Sequence, residues 1–394
     1  MKRVAVITTS RADFGIYRPL LAAIQAAPEL ELLLVVAGMH LAPEMGLTVR
    51  EIEAEGWPIA ARVECLLSSD SNLGMAKSLG LAVMGHAEAL ARLNPDLVVI
   101  LGDRFEMFAA AAAAGPLRLP LVHLYGGELT LGALDDAWRH AMTKLSHLHF
   151  VATSEYAHRL AAMGEEPWRV TVCGALSLDN LVAMNLLGRE ELARELEIGL
   201  DSAPLLVTFH PETLADDPPA RQMAEVLAAL ESLARPTVFT LPNADAGGRE
   251  LAALVRAFCQ DHPWAVARDN LGTRRYFSLM KHAAAMLGNS SSGIIEAPSL
   301  GLPVVNLGQR QAGRTRGANL IDAACQREAI LAALERALAP GFRAQAERTP
   351  NPYLRGGAAR TICAGLIQDF PRERLLHKNF QDNPQPGDRP CQHG

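Results

Sequence analysis

Short runs of consecutive apolar residues alternate with longer stretches in which apolar residues recur every three or four positions. Lys2–Thr8, Leu30–Ala37, Leu97–Leu101 and Pro120–Leu124 are runs of the first kind. Their largely apolar character predicts strands covered on both faces, as in a parallel sheet. Asp13–Ala27 is of the second kind, with Phe14, Tyr17, Leu20, Leu21 and Ile24 at helical spacing. Gly74–Leu93, ended by Pro95, also reads as a helix. Arg104–Gly115, Asp136–Ser146 and Ser154–Met163 predict further helices, and His149–Ala152 and Val170–Val172 further strands.

The alternation weakens over Leu178–Asp201, which is polar and mostly helical in pattern, and restarts at Pro204–Phe209. Strands are expected at Thr237–Thr240, Ala265–Ala267, Ala284–Leu287 and Pro303–Asn306. Helices are expected at Ala220–Leu233, Arg249–Cys259, Thr273–His282 and Gly293–Leu300. Strands alternating with helices, joined by right-handed crossovers, give an α/β chain with two doubly wound Rossmann-like domains. The expected limits are 1–180 and 200–355, with a linker near 180–200. An amphipathic piece over Gly357–Leu376 follows, and 381–394 reads as a frayed tail.

Composition narrows the class. A chain of 394 residues, 49% hydrophobic and 20% charged, suits two globular domains. No apolar run approaches the roughly 18–20 residues of a membrane span. Met1-Lys2-Arg3 leads straight into Val4 without a signal-peptide core, so a cytoplasmic protein with no membrane partner is expected. A formal net charge of −6 argues against a nucleic-acid partner bound through a broad basic surface. The six cysteines lack any C-x-x-C pair and are expected to be reduced.

Candidate chemistry follows from what stands at each strand's carboxyl end, where doubly wound sheets bind ligands. After the first strand come Thr9-Ser10-Arg11-Ala12-Asp13-Phe14-Gly15. Arg11 and Asp13 there suit either an anion site or a simple helix cap. After Leu101 come Gly102-Asp103-Arg104-Phe105-Glu106. After Leu124 come Gly126-Gly127-Glu128, then Asp135-Asp136 and Arg139-His140. Carboxylates from adjacent strand ends would crowd one cleft and push each other's pKa values apart. In the second half, Phe209 is followed by His210-Pro211. Leu241 is followed by Pro242-Asn243-Ala244-Asp245-Ala246-Gly247. Asn289-Ser290-Ser291-Ser292-Gly293 opens a helix carrying Glu296, and Arg310 and Arg314 follow the next strand. Small residues, hydroxyls and guanidiniums of this kind suit a nucleotide phosphate. His147 and His149 form a period-2 pair without further ligands, which is weak support for a metal.

Taken together, these motifs resemble the hydrolysing UDP-N-acetylglucosamine 2-epimerases of sialic-acid and legionaminic-acid biosynthesis. The matching segments include Arg11-Ala12-Asp13-Phe14, Gly102 to Glu106, Gly126-Gly127-Glu128, Asp135-Asp136 and Arg139 to Phe150. They continue through His210-Pro211, Pro242 to Gly247, Gly288 to Gly293 and Asn306 to Gln311. The resemblance implies two domains facing across a cleft, similar to GT-B glycosyltransferases, with a C-terminal helix, here 357–380, crossing back to the first. It implies a UDP-sugar partner and a homodimer or homotetramer. UDP would be held by Arg11, His210, Asn243, Ser290, Ser291, Glu296 and Arg310. Asp13, Arg104, Arg139, Asp245, Asn289, Ser292, Gly293 and Arg314 complete the expected substrate set. Asp103, Glu128, Asp135 and Asp136, with His210, become the catalytic candidates. Many relatives carry glutamate two residues after the histidine matching His123; here that residue is Tyr125, a candidate lining for a modified sugar.

The implied reaction is elimination of UDP across C1–C2 of UDP-N-acetylglucosamine, followed by hydration to N-acetylmannosamine. It needs no redox cofactor, and nothing in the sequence asks for a metal. Three alternatives remain: the same chemistry on UDP-2,4-diacetamido-2,4,6-trideoxyglucose, a GT-B glycosyltransferase, and a non-catalytic nucleotide-sugar sensor.

Overall fold

Every strand of the chain lies parallel to its neighbours. The structure, a computed structural model, describes residues 1–69, 71–131, 133–212, 217–241, 247–269 and 271–382. The first sheet comprises β1 (Lys2–Thr8), β2 (Leu30–Ala37), β3 (Ile59–Val63), β4 (Leu97–Leu101), β5 (Leu121–Leu124), β6 (Leu148–Val151) and β7 (Val170–Val172). Their order is β3-β2-β1-β4-β5-β6-β7. The second comprises β8 (Leu205–Thr208), β9 (Thr237–Thr240), β10 (Ala265–Arg268), β11 (Ala285–Gly288), β12 (Val304–Leu307) and β13 (Leu320–Ala323). Its order is β10-β9-β8-β11-β12-β13. Both sheets reverse their winding beside the first strand, between β1 and β4 and between β8 and β11. The loops at those points open onto a crevice.

The inner strands are largely apolar because both faces are covered. In the second sheet Leu205, Val207, Leu287 and Val305 enter one core, while Leu206, Met286 and Val304 enter the opposite one. The polar stretch 187–200 is not a loose linker. Leu187, Leu192, Leu196 and Leu200 are buried in that opposite core. Each contributes roughly 2 kcal/mol by leaving water.

Several elements differ from the sequence reading. The edge strands β3 and β13 and the helices Val49–Ala54, Arg327–Leu338 and Pro340–Arg348 were not anticipated. An edge strand exposes polar residues such as Arg62 and Asp322, which breaks the apolar run. The helix expected over Gly293–Leu300 is a short helix, Ser292–Ile295, followed by a 3₁₀ turn, Ala297–Leu300, that contains Pro298.

The C-terminal segment does cross back to the first sheet, as two helices rather than the single one expected over 357–380. Ala358–Ile367 and Arg372–Leu376 are separated by a break before Pro371. Ile362 and Leu366 join the first core. The Lys2 ammonium donates to the carbonyls of Leu366, Ile367 and Gln368 at 3.3, 3.1 and 2.7 Å, capping the first of these helices. Arg169 donates to the carbonyls of Arg374, Leu375 and His377 at 3.0, 3.0 and 2.7 Å. Order extends into the expected tail, since the Gln381 amide donates to the Gly164 carbonyl at 3.0 Å. Residues 383–394 lie outside the described residues. Among the described residues, no helix is long and apolar enough to cross a membrane, and Cys65, Cys173, Cys259, Cys325 and Cys363 are unpaired.

Candidate active site

The turn after β1 is built around Asp13. Its carboxylate accepts from the Thr8, Thr9 and Ser10 hydroxyls and from the Thr9 and Ser10 amides. Ser10 caps the helix Arg11–Ala26 in return. Asp13 therefore satisfies the turn itself, the capping alternative left open by the sequence. Arg11, one residue into the helix, donates to the Asp269 carbonyl of the second domain at 3.2 Å.

The turns after β4 and β5 meet at Arg139, on the helix Asp135–Leu145. Its guanidinium donates to the Asp103 carboxylate, to the Thr130 hydroxyl at 3.0 Å and to the Tyr125 carbonyl at 2.9 Å. The Thr130 hydroxyl donates to Asp103 at 3.2 Å. Burial pushes the Asp103 carboxyl up, but Arg139, Arg314, Arg310 and Thr130 together hold it below its ordinary value. Asp136 accepts from the Thr130 amide at 2.7 Å and pairs with His140 at 3.4 Å. Its pKa is also lowered, because those partners outweigh its partial burial. Asp135 stands beside it in the first helical turn, half-buried. Arg104 forms a two-pronged pair with buried Glu106, at 3.2 Å for both nitrogens.

Arg314 arrives from the second domain. It pairs with buried Glu128 at 2.8 Å and donates to the Leu129 carbonyl at 2.8 Å. The second Glu128 oxygen, Oε1, is buried without a hydrogen-bond partner. Two contacts brace the same loop: the Thr315 amide donates to the Tyr156 hydroxyl at 3.1 Å, and the Thr315 hydroxyl donates to Glu155 at 2.6 Å. Cations stand between the carboxylates: Arg139 pairs with Asp103 and Arg314 with Glu128, and Arg314 also acts on Asp103. Of these two carboxylates, Asp103 is partly open to solvent and Glu128 is sealed.

The second sheet presents neutral groups at its switch point. Gly288 ends β11 with φ of 137°, and a Cβ there would lie 1.9 Å from the Thr208 carbonyl oxygen, so the two strand ends approach through glycine. Asn289 holds the His210 backbone in both directions: the His210 amide donates to its Oδ1 at 2.7 Å, and its amide nitrogen donates to the His210 carbonyl at 2.9 Å. Arg310 and Gln311 both donate to the Asn289 carbonyl, at 3.2 and 2.7 Å. Glu212 accepts from the amides of Gln309 and Arg310, both at 2.9 Å. Burial pushes the Tyr276 hydroxyl's pKa up, against the nearby Ser292, Thr208 and Ser290 hydroxyls. Ser291 and Gly293 complete this small-residue turn.

Glu296 closes the seam between the domains. The Ser177 hydroxyl donates to it, and the Ser177 amide donates to the Tyr125 hydroxyl at 3.1 Å. Burial pushes the Glu296 carboxyl up to about 7, against the Ser177 and Ser292 hydroxyls. Tyr125 is buried in the first core with its hydroxyl engaged here, so it braces the seam rather than lining a sugar pocket.

Asp103, Glu128, Asp136, Arg139, Arg310 and Arg314 are therefore brought together, and His210, Asn289, Ser290, Ser291, Ser292, Gly293 and Glu296 form the facing wall. Asn243 and Asp245 lie outside the described residues. Sequence reading missed Thr130, Ser177, Glu212, Tyr276 and Gln311. One local signal existed for Glu212: Gly308 has φ of 69°, and a Cβ there would strike the Glu212 carboxylate at 2.3 Å. His149 pairs with Glu165 at 3.0 Å, and Lys144 and Lys378 bind the same carboxylate at 2.7 Å each. His147 accepts from the Leu121 amide at 3.0 Å. His149 thus serves the anchoring of the C-terminal segment through Glu165 and Lys378, and His147 holds the start of β5.

Residues 22–367 match the family model described as UDP-N-acetylglucosamine 2-epimerase. The chain is 39% identical to the GDP/UDP-N,N′-diacetylbacillosamine 2-epimerase (hydrolyzing) of Campylobacter jejuni, over 97% of this chain and 99% of the relative. It is 36% identical to the UDP-N,N′-diacetylbacillosamine 2-epimerase (hydrolyzing) of Legionella pneumophila, over 86% and 89%. It is 33% identical to polysialic acid biosynthesis protein P7 of Escherichia coli, over 98% of each. The Neisseria meningitidis UDP-GlcNAc 2-epimerase bound to UDP-GlcNAc shares the fold. Its TM-score is 0.79 at 16% identity, covering 93% of this chain and 100% of that one. The paired sheets, the facing polar walls and these full-length similarities together show that the chain belongs to the hydrolysing UDP-N-acetylglucosamine 2-epimerase family.

Proposed function

We propose that the chain is a hydrolysing 2-epimerase of UDP-linked 2-acetamido sugars, and that its substrate is UDP-2,4-diacetamido-2,4,6-trideoxyglucose, that is, UDP-N,N′-diacetylbacillosamine. The observation that carries the reaction is the pairing of Asp103 with Arg139 and of Glu128 with Arg314, opposite a wall of neutral donors and the Arg310 guanidinium. The identity to relatives named for the diacetamido sugar supports the substrate.

The C2 proton of an amino sugar is weakly acidic, so a base must act while the leaving group departs. Asp103 is partly open to solvent, and its lowered pKa keeps it ionised at neutral pH. It removes H2, the C2–H electron pair forms the C1–C2 double bond, and the C1–O bond to UDP breaks. Arg310, His210 and the hydroxyls of Ser290 to Ser292 take up charge on the departing diphosphate. Water then adds at C1, oriented by Asp135 or Asp136, and a proton enters C2 from the opposite face. Glu128, sealed behind Arg314, is the second acid/base group. The products are UDP and the free 2-epimer, and the balance requires only water.

A second reading, UDP-N-acetylglucosamine as substrate, is favoured by 33% identity to the UDP-N-acetylglucosamine 2-epimerase of Neisseria meningitidis. Product NMR in D₂O with each nucleotide sugar decides. The expected outcome is UDP release without any acceptor, deuterium at C2 and the manno product, with the diacetamido sugar turned over faster. Retention of protium at C2, or a requirement for an acceptor, overturns the mechanism. Turnover of the plain sugar alone overturns the substrate assignment.

A further inference from the structure

The helix that carries Asp135, Asp136 and Arg139 is held at its far end by the C-terminal segment. The last carbonyls of a helix have no partner within it. In Asp135–Leu145 the Lys378 ammonium reaches them. It donates to the carbonyls of Ser146 and Lys144 at 2.6 and 3.0 Å and lies 3.3 Å from that of Thr143. Its remaining proton goes to buried Glu165 at 2.7 Å. A cation at this place also answers the negative end of the helix dipole. Lys144, in the last turn of the helix, binds the other Glu165 oxygen at 2.7 Å and the Met163 carbonyl at 3.0 Å. The helix end and the C-terminal segment are thus tied to one carboxylate.

Two paths lead from this helix end to the site. Arg139 stands four residues before Thr143, on the same face, and grips Asp103, Thr130 and the Tyr125 carbonyl. The second path runs through His123, whose pKa burial pushes down to about 3, so that the ring is neutral. One ring nitrogen then donates and the other accepts. Its Nε2 donates to the Gly102 carbonyl at 2.9 Å, and its Nδ1 accepts from the Thr143 hydroxyl at 3.2 Å. Gly102 immediately precedes Asp103. One helix therefore sets both the cation and the backbone of Asp103.

We propose that Lys378 is a positioning residue for the epimerase reaction: by fixing the carboxyl end of the helix Asp135–Leu145, it sets Arg139 and Thr143 where they hold Asp103 for proton removal. The inference rests on the reading of Asp103 as the base. Lys378→Met keeps the apolar stem and removes the ammonium. With the UDP-sugar that the wild type turns over, kcat is expected to fall about ten- to a hundredfold, while KM and UDP binding by calorimetry stay unchanged. Asp103 faces Arg139, Arg314, Arg310 and Thr130, which together lower its pKa. Loosening Arg139 weakens that pull, so the acidic limb of kcat/KM is expected to move up by roughly one pH unit. Lys378→Arg, which keeps a cation at the carbonyls, is expected to restore most of the rate and the wild-type limb. Lys2→Met is the control: it uncaps the helix Ala358–Ile367, loosening the same segment where it does not touch Asp135–Leu145, and is expected to leave kcat and the limb as they were. Where Lys378→Met fails to fold, Lys378→Gln keeps a neutral donor and is expected to show the same shift of the limb with a smaller loss. Wild-type kcat and limb in the variant that folds, an equal loss in Lys2→Met, or a parallel loss of UDP binding overturns the inference alone. A wild type without turnover overturns the reading of the site as well.

Discussion

The two sheets share strand order and winding, yet the loops at their switch points carry opposite chemistry. The turns after β4 and β5 set charged groups against one another, with Asp103 on Arg139 and Arg104 on Glu106. The turns after β8 and β11 carry mostly neutral groups; of the buried carboxylates there, Glu212 is spent on two backbone amides and Glu296 accepts from the Ser177 hydroxyl. The scaffold therefore sets where a ligand lies, and short loops decide what is done to it. Proton transfer needs groups whose charge is held and tuned. An anionic leaving group needs donors that are already oriented. The division between the halves follows those two needs.

The sharpest way to break this division is Asp103→Asn. Loss of a general base costs typically 10²–10⁴ in rate. The variant is expected to lose that much UDP release while binding UDP as the wild type does, as read by calorimetry. Equal loss of UDP binding would mean that the charged half is not separate from the nucleotide half.

Arg314→Ala tests the point where the halves touch. It leaves Glu128 buried without its cation, which costs about 3–5 kcal/mol. Urea unfolding is expected to show that loss, and activity is expected to fall with it. Stability within about 0.5 kcal/mol of the wild type would show that the Arg314 contact does not join the domains.

The smallest effect is expected at the seam. Glu296 ionises near 4.5 when unfolded, while burial raises it to about 7 in the folded chain. The folded state thus holds the proton over a range where the unfolded state has lost it. This group's contribution is complete below about pH 4.5 and is lost as pH rises through about 7. Glu296→Gln is expected to flatten that decline in Tm between pH 5 and 8 without UDP present. Parallel declines for the two proteins would place the pH response elsewhere.

Much of this was legible in the residues. The expected limits of β1, β2, β4, β7 and β9 matched to the residue; the inner strands among them are largely apolar because both their faces are covered. Small and charged residues after those runs marked both walls of the site for the same reason. The edge strands β3 and β13 were hidden, since solvent on one side permits Arg62 and Asp322 within them. Pro371 lay in plain view, but the amphipathic pattern around it masked the break it makes.

The sequence by itself determined that two parallel sheets form and which loops hold the chemistry, because periodicity and composition act locally. Only the tertiary structure decided how those groups are used. Asp13 turned inward to cap its own turn, and Tyr125 became a brace at the seam. Glu128 gained Arg314, a cation 186 residues away in the chain. Charge partners so distant in sequence are chosen by how the domains pack, and packing also decides which carboxylate stays open to solvent and which is sealed.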